Sequence, residues 1–225
     1  EVKAQAPDVI GRFDELAGSK GYFHFAEKKG YSGVGVYSRH EPSDVIAGFG
    51  SPEFDAEGRY LELRFDTPTR ALSIISVYFP SGSSGPERQE AKYRFLDLFR
   101  PHLDALHPRR EFVLCGDVNI AHQQIDLKNW RSNQKNSGFL PQERQWVTQL
   151  LQEGNLVDVY RRLEPTATDA AYTWWSNRGQ AYVKNVGWRL DYHLASPSIA
   201  SKALRAAIYK DEKFSDHAPL TIEYD

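Results

Sequence analysis

Methionine is absent from all 225 residues, and the chain begins with Glu1. An initiator is therefore expected elsewhere, and the sequence reads as a processed, truncated or partial form of what is encoded. There is one cysteine, Cys115, so no internal disulfide can close. It stands in the apolar run 112–115 and reads as a small buried hydrophobe rather than a nucleophile. This usage suits a reducing compartment. A cytoplasmic protein is expected. Charge of one sign is not in excess either: 28 basic against 30 acidic residues leave a net of −2. A nucleic-acid partner would have to meet a local basic face, because bulk charge supplies none. No apolar run reaches transmembrane length and no secretory signal is visible, so no membrane partner is expected. Repeats and low-complexity tracts are lacking as well.

What remains is an ordinary globular composition, 40% apolar and 26% charged, in a chain long enough to bury a substantial core. Strand-like segments are 33–38, 59–65, 72–79, 111–116, 187–195 and 218–224. Apolar residues at helical spacing mark 88–106. A second helix is expected over 141–153, with Pro141 in its first turn, Glu143 at its positive end, Trp146, Val147, Leu150 and Leu151 on one face, and Gly154 as its stop. Residues 80–87 and 121–139 are long loops of the kind that carry function. No composition shift marks a boundary. The reading is one α/β domain over residues 1–225, with loops at strand ends converging on one site.

Asp216-His217, just before the last apolar run, is the most informative pair. A carboxylate beside an imidazole on a strand-entry loop is poor core material and good material for acid–base or metal chemistry. Asp117 and Asn119 follow the strand 111–116. If extended geometry persists they share one face and can contact one reacting atom, whereas an Asx turn is the bland alternative. Asp191 lies where Trp188, Leu190, Tyr192 and Leu194 alternate with Arg189, Asp191 and His193. It is either a surface aspartate or the partner that fixes the imidazole of His217. Tyr78 either packs with a satisfied hydroxyl or aims its phenol at a phosphate. The segment 126–139 holds Lys128, Arg131 and Lys135 among amides and Trp130. It is a solvated polar loop or a contact for a phosphate backbone. Three acids, an amide and a histidine near strand ends form a kit for cutting a phosphate ester with a divalent metal.

Taken together, these segments resemble the exonuclease III-type AP endonucleases of the endonuclease/exonuclease/phosphatase superfamily. The matching pieces are Glu1-Val2-Lys3, GYSGVG at 30–35, VYFP at 77–80, GDVNIAH at 116–122, IDLKNW at 125–130, NQKNSGFLPQER at 133–144, YTWW at 172–175, KNVGWRLDYHLAS at 184–196 and SDHAPL at 215–220. The resemblance implies a four-layered α/β sandwich of two mixed sheets flanked by helices, with the site at strand-end loops. It also implies a strand upstream of Glu1 that this chain lacks.

Carried over motif by motif, the resemblance makes Glu1 and Asp216 metal ligands, His217 the catalytic histidine and Asp191 its orienting partner. Asp117 and Asn119 position the attacking water, and Tyr78 meets the scissile phosphate. Asn133 and Asn136 are amides near the DNA, while Trp174, Trp188 and Leu190 wall a small apolar pocket for an extruded abasic sugar. The implied cofactor is Mg²⁺, with Mn²⁺ as a substitute. The implied partner is double-stranded DNA with abasic sites or blocked 3′ ends, met by a monomer. A specialist for 3′ ends, and a DNA-binding relative impaired in catalysis, are the rival readings. His193 has no role in this scheme, and Trp174 is bulkier than the phenylalanine of some relatives.

Overall fold

A computed structural model describes residues 1–225. The chain divides into two compact units, Glu1–Phe79 with Asp97–Asp117, and Pro80–Leu96 with Val118–Asp225. The architecture is mixed α/β, with several sheets and flanking helices.

The first unit holds β1 (Glu15–Leu16), β2 (Ser19–His24), β3 (Val34–Ser38), β4 (Asp44–Ala47), β5 (Tyr60–Arg64), β6 (Leu72–Tyr78) and β7 (Glu111–Asp117), with short helices α1 (Ala6–Val9) and α2 (Pro52–Asp55). β1, β2 and β3 form one antiparallel meander. β4, β5 and β6 run antiparallel, and β6 pairs with β7 in parallel. Leu61, Leu63, Ile75 and Val77 are buried completely or nearly so, as period-2 patterning of strands facing a core requires. Gly116 permits the close approach of β6 and β7. Its φ is 144°, and a Cβ there would lie 1.9 Å from the carbonyl oxygen of Val77. The parallel register therefore sets Tyr78 directly beside Asp117.

The second unit holds β8 (Val157–Asp158), β9 (Trp174–Trp175), β10 (Gly187–Trp188), β11 (Asp191–Ala195), β12 (Ala203–Ile208) and β13 (Leu220–Tyr224). The helix α3 (Pro86–Leu106) begins in it and ends in the first unit. The helices α4 (Trp130–Asn133), α5 (Pro141–Gln152), α6 (Val159–Leu163) and α7 (Pro197–Ala200) are its own. α5 starts as its sequence dictates: Pro141 opens the first turn, and the Glu143 carboxylate accepts the amide of Leu140 at 2.9 Å.

Three expectations change here. Residues 187–195 are not one strand: β10 stops at Trp188 and β11 starts at Asp191. The amides of Leu190 and Asp191 turn aside to the Thr173 hydroxyl, at 3.1 and 3.2 Å, instead of continuing a ladder. Nor is Arg189 on a polar face. It is buried, with Nε 2.7 Å from Asp126 and Nη2 2.6 Å from Asp158. Asp126, expected in a polar loop, is itself fully buried and also takes Arg161 at 2.6 Å. Burial pushes the Asp126 carboxyl up, but Arg189 and Arg161 outweigh it and hold it at about 2.

The sign of this linkage follows from that depression. The stabilising contribution of Asp126 is full above its ordinary range near 3.8 and is lost as pH falls toward about 2. Arg189→Leu leaves Asp126 and Asp158 short of a buried partner and is expected to cost about 3–5 kcal/mol at neutral pH. Urea unfolding from pH 7 down to 2.5 checks both parts. The variant should lose less of its remaining stability than the parent between pH 4 and 2.5.

Candidate active site

The residues singled out above fall into one set in each unit. In the first unit Tyr78 ends β6 beside Asp117 at the end of β7. Burial, then the negative charges of Glu1 and Asp117, raise the Tyr78 phenol well above its ordinary range, so the hydroxyl stays a proton donor. Arg59 holds this corner. Its buried guanidinium donates to the carbonyl of Tyr78 at 3.0 Å, to the Tyr31 hydroxyl at 2.8 Å and to Glu57 at 2.5 Å. It also stacks 4.8 Å from the Tyr78 ring centroid. Glu1 accepts the amide of Ser32 at 3.1 Å through Oε1, while Lys3 sits 3.1 Å from Oε2. Ser32 reaches Glu1 from a left-handed turn, φ 49°, followed by Gly33.

In the second unit the segment Tyr172–Trp175 is the spine. On one side the Thr173 amide donates to Trp188, and Trp174 and Trp175 pair with Trp188 and Gly187. On the other, the amides of Trp175 and Ala218 bond to Asp216 and Thr173, bringing Trp174 opposite His217. Asp191 and His217, 26 residues apart, thereby meet: His217 Nδ1 lies 2.8 Å from Asp191 Oδ2. An ionised carboxylate only accepts, so Nδ1 carries the proton and the tautomer of the ring is fixed. Asp216 faces another way and accepts the Trp174 indole N–H at 3.2 Å.

Asn119 does not continue the extended geometry of β7. Its φ is 55°, a left-handed conformation that asparagine tolerates better than most residues. The shared face expected of Asp117 and Asn119 therefore does not arise from strand alternation. Leu190 lies in a buried cluster with Ala121, Leu127 and Phe139, against which Trp174 and Trp188 pack. The two indoles meet edge to face with centroids 6.4 Å apart. Asn136 is exposed and Asn133 half-buried; they are linked to each other at 2.8 Å, with Asn133 also donating to the carbonyl of Asn129. Two cations of this loop have partners within the protein: Lys128 pairs with Asp169 at 2.9 Å, and Arg131 stacks over Trp130. His193 is half-buried and stacked against Tyr224, with Nδ1 3.1 Å from its hydroxyl, and burial lowers its pKa to about 4. Cys115 is half-buried and its thiol is pushed up to about 12 by burial, which makes it an inert packing residue.

Residues that sequence reasoning passed over do the positioning: Arg59, Thr173, Arg189, and the buried pair Lys92 and Glu143. Only Glu143 carried a local signal, as the third residue of a helix opened by proline. The metal-binding potential lies in carboxylate oxygens, the donors that hard divalent cations prefer. No group of three or more acidic, histidine or cysteine side chains forms a ready cage. The Glu1 carboxylate already accommodates one cation, the Lys3 ammonium.

The comparisons with known proteins place this mixed α/β chain in a class of hydrolases. Residues 1–217 match the profile of the Endonuclease/Exonuclease/phosphatase family, and the chain belongs to that family, in its exonuclease III-type AP endonuclease branch. It is 39% identical over 201 residues to the exodeoxyribonuclease of Bacillus subtilis, covering 89% of this chain and 77% of that protein. It is 40% identical over 196 residues to the DNA repair nuclease APEX1 of Danio rerio, covering 87% of this chain and 61% of the zebrafish protein. Among solved structures, the 3′ phosphatase NExo from Neisseria bound to a product DNA hairpin superposes with a TM-score of 0.83 at 27% identity, over 92% of this chain and 80% of that one. An AP endonuclease from Archaeoglobus fulgidus gives 0.82 at 28%, with the same coverage. No helix is long and apolar enough to cross a membrane.

Thr173→Val keeps the shape and removes the hydroxyl, leaving the buried amides of Leu190 and Asp191 without their acceptor. A loss of about 1–3 kcal/mol is expected, with most of it regained in Thr173→Ser. Chemical denaturation of the three proteins side by side checks this.

Proposed function

We propose that this protein is a Mg²⁺-dependent DNA-repair phosphodiesterase that cuts 5′ to abasic sites and clears blocked 3′ ends. The observation that carries the reading is the hydrogen bond between Asp191 and His217, which fixes the tautomer and orientation of the imidazole. Both reactions break the same kind of bond. The oxygen of a water forms a bond to phosphorus, the bond from phosphorus to a 3′-oxygen breaks, and that oxygen takes a proton from solvent water to depart as a 3′-hydroxyl. Asp117 accepts a proton from the attacking water, and Asn119 holds that water in line. The Tyr78 hydroxyl donates to the phosphate oxygens, and His217 does so from Nε2 as the imidazolium paired with Asp191, where a donor is worth most as charge builds in the transition state. Glu1 and Asp216 are the ligands for the metal, which when bound offsets phosphate charge and eases departure of the leaving oxygen. Trp174, Trp188 and Leu190 receive the sugar that lacks a base, because an unstacked abasic nucleotide flips cheaply. Asn133 and Asn136 contact the backbone of double-stranded DNA, and the protein works as a monomer.

A 3′-end specialist is the second reading. It is favoured by the indole of Trp174, whose bond to Asp216 fixes a bulky ring at the pocket. The relative rates of the wild type on an abasic duplex and on a nicked 3′-phosphate duplex separate the two.

Activity on either duplex should require a divalent cation and vanish in EDTA. His217→Ala and Asp117→Asn should each lower turnover by about 10³-fold or more with DNA affinity nearly unchanged, since binding is spread over many backbone contacts. Near-normal turnover in either folded variant contradicts the assignment. Trp188→Ala should reduce cutting of the abasic duplex more than removal of a 3′-phosphate, where no nucleotide has to flip. Equal losses on the two substrates would make Trp188 ordinary core packing.

A further inference from the structure

A lysine and a glutamate with no solvent exposure at all lie behind the Asn119 turn. Lys92, in the second turn of α3, and Glu143, in the first turn of α5, are both 0% exposed, with Nζ and Oε1 2.7 Å apart. Removing two such charges from water is costly unless every remaining donor and acceptor is used. Here the uses are specific. Lys92 Nζ donates to the backbone carbonyl of Asn119 at 2.8 Å. Glu143 Oε2 accepts the amides of Gly138 at 2.7 Å and Leu140 at 2.9 Å, while Oε1 also takes Gln89 at 3.1 Å. Gly138 in turn accepts the amide of Ala121 at 2.8 Å, and a Cβ on Gly138 would stand 3.3 Å from the Trp188 ring. One buried ion pair thus ties the left-handed turn of Asn119 to the loop that bears Asn136 and backs Trp188.

From this geometry we infer that Lys92 and Glu143 are positioning residues for the chemical step, acting through Asn119. Asn119 sits in a left-handed conformation, and the ammonium on its carbonyl fixes the peptide plane from which the side chain projects. A surface lysine at the same helix position has no such reach. The pair touches neither DNA nor the attacking water, so its effect is on how well Asn119 is placed. The inference rests on the role proposed for Asn119, and its test is arranged to separate the two.

The variant Lys92→Met/Glu143→Gln removes both charges together, so no lone buried charge is left, and the new side-chain amide retains an acceptor for the loop amides. Its expected behaviour is a turnover on abasic duplex about 10- to 100-fold below wild type, with the DNA dissociation constant within about twofold. In an Asn119→Ala background the same double change should cost less than about twofold more, because the two act as one unit. Losses that multiply in full would mean general destabilisation and overturn the inference. The side-chain amide signal of Asn119 in ¹H–¹⁵N NMR gives an arm independent of activity. It should shift in the Lys92→Met/Glu143→Gln protein, and an unchanged signal also overturns the inference. If the double variant does not fold, Lys92→Arg serves for the NMR arm, because it keeps a charge beside Glu143 while moving the donor off the Asn119 carbonyl. A wild type inactive on every DNA substrate would sink the proposed function while the NMR arm still decides the positioning.

Discussion

The arrangement of the second unit depends on one short segment that is paired on both edges. Thr173, fully buried, lies between the chain that leads into Asp191 and the chain that contains His217. Its amide and hydroxyl serve the first, and its carbonyl takes the Ala218 amide of the second at 2.7 Å. Residues distant in sequence are thereby placed to within a hydrogen bond. A two-residue strand has little stability of its own. Trp174 and Trp175 anchor it on opposite sides, Trp174 against the Leu190 cluster and Trp175 in a cluster with Tyr172, Ala181 and Ala218. Packing supplies the stability, and the threonine supplies the register.

Buried cations recur as the device that fixes irregular backbone. Arg59 holds the end of β6, Arg189 holds the break between β10 and β11, and Lys92 holds the turn at Asn119. Carboxylates neutralise the charge in each case; Arg59 and Lys92 also donate to the carbonyls of Tyr78 and Asn119, and the guanidinium planes of Arg59 and Arg189 stack on Tyr78 and Tyr192. Such pairs contribute less net stability than their short distances suggest, because desolvation offsets much of the attraction. What they add here is definition of loop geometry, which an apolar substitute of equal volume does not provide.

The regular elements were legible in the sequence because their signals are local. Period-2 alternation found β3, β5, β6 and β7, and proline with a first-turn glutamate found α5. The Asp191–His217 pairing was legible as one of two alternatives at Asp191, through the motifs rather than through any spacing. The rest was hidden for physical reasons. Asp126, Arg189 and Lys92 are charged residues in polar or amphipathic stretches, and sequence alone does not reveal that each has a buried partner 31 to 63 residues away. β2, β4 and β12 lack a strong apolar face, with side chains mostly half-buried or exposed, so alternation did not betray them. The left-handed turn at Asn119 breaks the strand pattern at the very position where the side chain is expected to act.

The account turns on Asp191 acting through His217 rather than through the substrate. The most direct measurement is single-turnover cleavage of an abasic duplex in Mg²⁺ by Asp191→Asn, together with its DNA affinity. The amide removes the carboxylate charge and allows the imidazole its other tautomer while preserving shape. The account predicts a chemical rate lower by about 10²-fold or more with affinity unchanged. A rate close to that of the wild type, or a loss explained wholly by weaker binding, would contradict it.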